Sequence, residues 1–166
     1  MAGERVYGVI GTAMYPPATY AMLWPFVGYP SFPLVRIIWA ATGLISLLLL
    51  LWIGVSEGGR WPWQIRLLVG AAVLSNYAIS VAVATGQMSL QVLPPVILSI
   101  LIVTRGNVSV RRDVLAAGLF VLGMAKPQIA LPFGWILLYV PGRWRPVLFA
   151  VGMYIAVTLF AAMFQK

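Results

Sequence analysis

The chain has 166 residues, of which 62% are hydrophobic and only 8% charged. A soluble domain carries about 45–50% apolar and roughly 25% charged residues. The composition therefore excludes a water-soluble surface and predicts an all-α integral membrane protein. Cysteine and histidine are absent, which excludes disulfides, thiolate chemistry, the commonest metal ligand and the usual neutral-pH acid and base. No metal and no cofactor is expected. The only carboxylate side chains are Glu4, Glu57 and Asp113.

Eleven basic residues against three acidic ones give a net charge of +8. On a soluble protein that excess would point to nucleic acid. In a membrane protein it fixes orientation and meets anionic headgroups, so no nucleic-acid partner is expected. The opening Met1-Ala2-Gly3-Glu4-Arg5 lacks the pattern of a cleavable signal.

In chain order, the first apolar stretch is Pro16 to Phe32. It is short and holds Pro25, with Pro30 and Pro33 close by, so it predicts a re-entrant or interfacial helix. The run from Ile37 to Val55 predicts a crossing. Leu67 to Thr104 carries no charge and is too long for one crossing at 1.5 Å per residue. Gly86-Gln87 near its middle predicts a reversal between two helices. The last apolar region is cut at Lys126-Pro127 and at Gly142-Arg143. It yields helices over Val110–Ala125, Pro127–Val140 and Trp144–Phe164. The prediction is six transmembrane helices plus the short N-terminal helix, or seven spans if that helix crosses. All belong to one polytopic domain over 1–166, with an outer-face segment at 1–33 and a helical bundle at 34–166.

Loop charge orients the bundle. Six spans place Arg60, Arg66, Arg105, Arg111, Arg112, Arg143 and Arg145 on one side. Arg5, Arg36, Lys126 and Lys166 fall on the other. The positive-inside rule makes the first side cytoplasmic, and its seven arginines are candidate contacts for anionic lipid. Gly86-Gln87 and Lys126-Pro127 then face outward.

Lys126 is the most informative residue. It lies fourteen positions beyond Arg112, about 21 Å along a helix, whereas the hydrocarbon core is about 30 Å thick. The tip of this helical hairpin is thus recessed, and an ionisable group at that depth suggests a functional site. A lysine there suits a phosphate, although snorkelling to the headgroups gives the same sequence pattern. Gln87 and Ser89 offer amide and hydroxyl groups on the same side. The plainer reading makes Ser89 the N-cap of the next helix. Asn76 reads as interhelical glue, Glu57 and Asp113 as loop charges, and the tryptophans as an interfacial belt.

Taken in order, Tyr15-Pro16-Pro17, Gly86-Gln87, Gly123 to Pro127 and Arg143-Trp144-Arg145 give a more specific pattern. With it the chain resembles the bacterial polyprenol-phosphate-dependent mannosyltransferases of glycosyltransferase family eighty-seven, which have the multi-spanning GT-C fold. The resemblance implies a protein of the bacterial cytoplasmic membrane that takes a sugar from a lipid-phosphate donor on the outer face. The donor phosphate would lie near Lys126, with Gln87, Ser89 and Tyr15 as further lipid-phosphate candidates.

Such enzymes are usually more than twice this length and place a catalytic aspartate on an outer loop. That loop has no counterpart here, and Glu4 does not match its position, so no catalytic residue is identified. The expectation is a transferase-like, non-catalytic transmembrane subunit of a larger membrane complex, such as a respiratory or photosynthetic one. Its partners would be anionic or polyprenol-phosphate lipids and other membrane subunits. The alternative is part of an active hexosyltransferase.

Overall fold

The computed structural model describes residues 16–57, 59, 61–75, 81–82, 86–105, 107–140 and 144–164. Within these the chain forms helices α1 (Pro17–Val27), α2 (Phe32–Glu57), α3 (Trp63–Leu74), α4 (Ser89–Arg105), α5 (Val110–Gly123), α6 (Pro127–Tyr139) and α7 (Arg145–Ala162). The described residues contain no strand, as an apolar medium demands of an open chain: only helices satisfy their backbone within one segment.

The helix starts follow proline chemistry. α1, α6 and α7 each have a proline at the first or second position, where its missing N–H costs no hydrogen bond. α5 instead opens on Ser109, whose hydroxyl accepts from Arg112 N.

Two helices, α2 and α7, are long and apolar enough to cross a membrane; α3, α4 and α6 are apolar but shorter. α6, with 13 residues, is only about 20 Å long. The short N-terminal helix expected over Pro16 to Phe32 is present as α1, 11 residues with Pro25 inside.

Three contacts set the register of α2 and α4. Trp39 meets Gly86, Gly43 lies against Gln91, and Glu57 pairs with Arg105. Residue numbers rise together along both helices, so α2 and α4 run parallel. α4 and α5 run antiparallel and share the most extensive interface in the bundle. Buried Ser99 ties them by donating to the Ala116 carbonyl at 2.7 Å, and Gly123 backs directly onto Val96. The core gathers Val96, Ala117, Phe120, Val121, Ala130, Leu137 and Ala150. Alanine and glycine let these helices approach closely, as is usual where lipid leaves no hydrophobic drive between helices.

Two expectations need correction. α5 and α6 were expected to pair as a hairpin, but they splay, and α6 packs more on α4 than on α5. Phe120 lies against Gly134 and is a point of contact between them, in a core shared with Ala130 and Leu137. Asp113 is not a loop charge: it is 1% exposed in the first turn of α5, where the helix dipole favours an anion. Its Oδ2 nevertheless has no hydrogen-bond partner.

Candidate functional site

At one end of the bundle the chain reverses twice. The first reversal is at Gly86, whose φ of +63° is a left-handed conformation that glycine adopts without a steric penalty. Trp39 fixes this turn by donating from Nε1 to the Gly86 carbonyl at 2.9 Å. The second reversal follows α5, where Lys126 N donates to the Gly123 carbonyl at 3.1 Å and Pro127 starts α6.

The antiparallel packing of α4 on α5 brings the two reversals together. Lys126 Nζ donates to Ser89 Oγ at 2.5 Å, in a half-buried setting. Ser89 Oγ lies 3.5 Å from Gln87 Oε1. Three of the four lipid-phosphate candidates therefore form one cluster. Tyr15, the fourth, lies outside the described residues. Ser89 is the first residue of α4 rather than a cap before it, and its hydroxyl engages Lys126 and Gln87.

Two sources of positive charge meet at this corner. Lys126 contributes a formal charge. It is also the N-cap of α6 without a side-chain capping bond, and α4 begins beside it at Ser89. Each helix N-terminus carries unpaired N–H groups and about half a positive charge. α5 ends at Gly123 in the same corner and its C-terminal carbonyls offset one of these starts, so the formal charge of Lys126 sets the sign.

α1 closes the corner from the side. Thr19, fully buried, donates to the Ala125 carbonyl at 2.9 Å, so α1 is pinned to the residue before Lys126. Between α1, α2, α4 and the end of α5 lies a mostly apolar groove of about 230 Å³, with Trp39, Ser46, Gln91 and Ala125 among its walls.

Trp39 is the functional neighbour that sequence reasoning missed. Six tryptophans, Trp24, Trp52, Trp61, Trp63, Trp135 and Trp144, are well exposed, as a belt would be. Trp39 is half-buried, and its indole is committed to the Gly86 turn. The signal available in sequence was its place three residues after Arg36, well inside the helix start.

The arginines expected at the other end have varied fates. Arg105 pairs with Glu57. Arg66 is drawn into its own loop, donating to the Gly59 carbonyl at 2.6 Å and the Trp61 carbonyl at 3.1 Å. Arg111, Arg112 and Arg145 are exposed. Arg60 and Arg143, like Asn76, lie outside the described residues.

What these features define is an all-helical, strongly apolar protein with one positively charged polar corner beside an apolar groove. The sequence model of glycosyltransferase family 87 matches residues 13–166, and the chain belongs to that family. No curated protein and no solved structure gives a significant match.

Proposed function

We propose that the chain crosses a bacterial cytoplasmic membrane several times and binds a polyprenol-phosphate sugar at the outward-facing corner, with Lys126 holding the phosphate. The observation that carries this reading is the Lys126–Ser89 contact beside the starts of α4 and α6 in a family 87 chain. In glycosyl transfer an acceptor hydroxyl attacks the anomeric carbon, the bond to the phosphate oxygen breaks, and the lipid phosphate leaves with the electron pair. A fixed cation at that phosphate stabilises the charge as it develops. Ser89 orients one N–H of Lys126 and leaves two for the ligand.

The acceptor's proton needs a base within hydrogen-bond reach. Among the described residues the carboxylates are Glu57 and Asp113, near the opposite ends of α2 and α5. The span of α4 from Ser89 to Arg105 puts Glu57 about 24 Å from Lys126. This favours a second reading: a transferase-derived, non-catalytic subunit of a larger membrane complex, respiratory or photosynthetic, whose other chains contact the exposed apolar helix faces. In the first reading the base comes from an acidic segment beyond the described residues.

The test has two arms. The chain is extracted in mild detergent, its native mass is measured, and co-migrating proteins are identified by mass spectrometry. Sugar transfer from a polyprenol-phosphate hexose is then followed with and without Lys126→Ala. Transfer that falls tenfold or more in the variant supports the donor site. Fixed stoichiometry in a large complex, with no transfer and no lipid-phosphate binding, overturns it in favour of the subunit reading.

A further inference from the structure

The Lys126–Ser89 contact joins two reversals, and one side chain from a third element meets both. Trp39 on α2 donates to the Gly86 carbonyl at 2.9 Å. Its ring packs on the cluster of Met88, Val92 and Ala125. Met88 precedes Ser89 in the chain, and Ala125 precedes Lys126. The indole thus sits against the chain neighbours of both partners in the contact.

A short path leads from the Trp39 N–H to the ammonium. After Gly86 comes Gln87, whose N–H donates to the Ala82 carbonyl at 2.9 Å and whose Oε1 lies 3.5 Å from Ser89 Oγ. Ser89 Oγ in turn accepts from Lys126 Nζ. Gly86 itself is left-handed, at φ +63°, and a glycine there has neighbouring conformations open to it. The Trp39 bond selects one of them. α2 is a firm reference for this purpose: its 26 residues run alongside α4 and are tied to the far end of α4 through Glu57 and Arg105. The Trp39–Gly86 bond is exposed, so water can replace it at little cost in stability. Its effect is on geometry.

We propose that Trp39 is a positioning residue: its N–H sets the Gly86-Gln87 turn and, through Gln87 and Ser89, fixes where the Lys126 ammonium stands. Its role in binding rests on the donor-site reading of Lys126. The flexible four-carbon stem of a lysine does not place its own charge. The placement comes from Ser89 and from whatever holds Ser89, and displacing the ammonium displaces a phosphate bound to it.

The chain contains two lysines, Lys126 and Lys166, so the reactivity of one amine can be read against the other. The full chain in lipid nanodiscs is briefly acetylated with an activated ester, and both sites are quantified by mass spectrometry. Affinity for farnesyl phosphate is measured in parallel. Trp39→Phe keeps an aromatic ring and removes the N–H. It should raise Lys126 labelling about threefold relative to Lys166 and weaken farnesyl phosphate about three- to tenfold. In a Ser89→Ala background the same change should add little to either readout, because the path is already cut. Should Trp39→Phe fail to fold, the tryptophan analogue with sulfur in place of the ring N–H, installed at position 39, carries the same prediction. Unchanged Lys126 labelling overturns the inference. So does a full additional effect in the Ser89→Ala background, which makes Trp39 scaffold only. If the unaltered chain binds no farnesyl phosphate while its labelling still responds to Trp39→Phe, the Lys126 reading fails and the positioning role falls with it.

Discussion

Lys126 donates to Ser89 across a separation of 37 residues, at 2.5 Å. The contact joins two chain reversals that are distant in sequence, and it decides which way the charge points. A free lysine at a helix boundary would reach for the headgroups. Here one N–H is tied to the start of α4, so the ammonium stays beside the groove.

Replacing Ser89 with alanine should cost about 1.5–3 kcal/mol, the usual range for a hydrogen bond involving a charged group. The loss would appear as a lower midpoint in thermal unfolding in detergent. Lipid-phosphate binding should weaken less than in Lys126→Ala, because the charge remains and only its aim is lost. Equal losses in the two variants would show that orientation, not charge, is what matters.

Gly86→Ala should destabilise the chain by about 1–2 kcal/mol, since an alanine at φ +63° is held in the left-handed region. Space is not the reason: the nearest atom to an added Cβ is Trp39 Nε1 at 3.5 Å. A substitution tolerated without any shift in midpoint would mean that the turn rearranges freely.

Gly123→Ala tests the α4–α5 interface. An added Cβ would overlap Val96 Cγ2, and overpacking of this kind costs about 1–3 kcal/mol. Val96→Ala should rescue it. The double variant should be more stable than the sum of the single effects, as expected for residues in contact. Strict additivity would place the two residues apart.

Thr19→Val removes the bond that pins α1 to Ala125. The expected cost is about 1 kcal/mol, and the expected consequence is local opening of α1. The chain has no cysteine, so a single Ala18→Cys reporter at a fully buried position gives a clean readout. Its maleimide labelling should accelerate severalfold when Thr19 is changed. Unchanged labelling would mean that α1 is held by its apolar contacts with α7 instead.

Much of this architecture was legible from punctuation. Gly86-Gln87, Lys126-Pro127 and the prolines at helix starts mark breaks because their backbone chemistry is local. The pairing of Ser89 with Lys126 was not legible. It depends on the register of α4 against α5, set by Gly123, Val96, Ser99 and Ala116, and nothing in an apolar sequence states which small residues face each other. Trp39 was misread for a related reason: amphipathicity places an indole near an interface but cannot say which carbonyl its N–H will meet. Asp113 was misread because a charge beside two arginines at a helix start resembles a solvated loop group, whereas the packing of α5 buries it.

α4 carries Pro94 and Pro95 in its middle, beside the groove. Two successive residues without an N–H leave the carbonyls of Leu90 and Gln91 without their helical donors. Bending α4 at this point therefore costs no hydrogen bond at those two carbonyls. The half of α4 nearest Lys126 is tied by Ser89, and the far end by Glu57 and Arg105. Between these points Val96 packs on Gly123 and Ser99 donates to Ala116, so the step that lacks helical donors is held in place by α5 rather than by α4's own backbone.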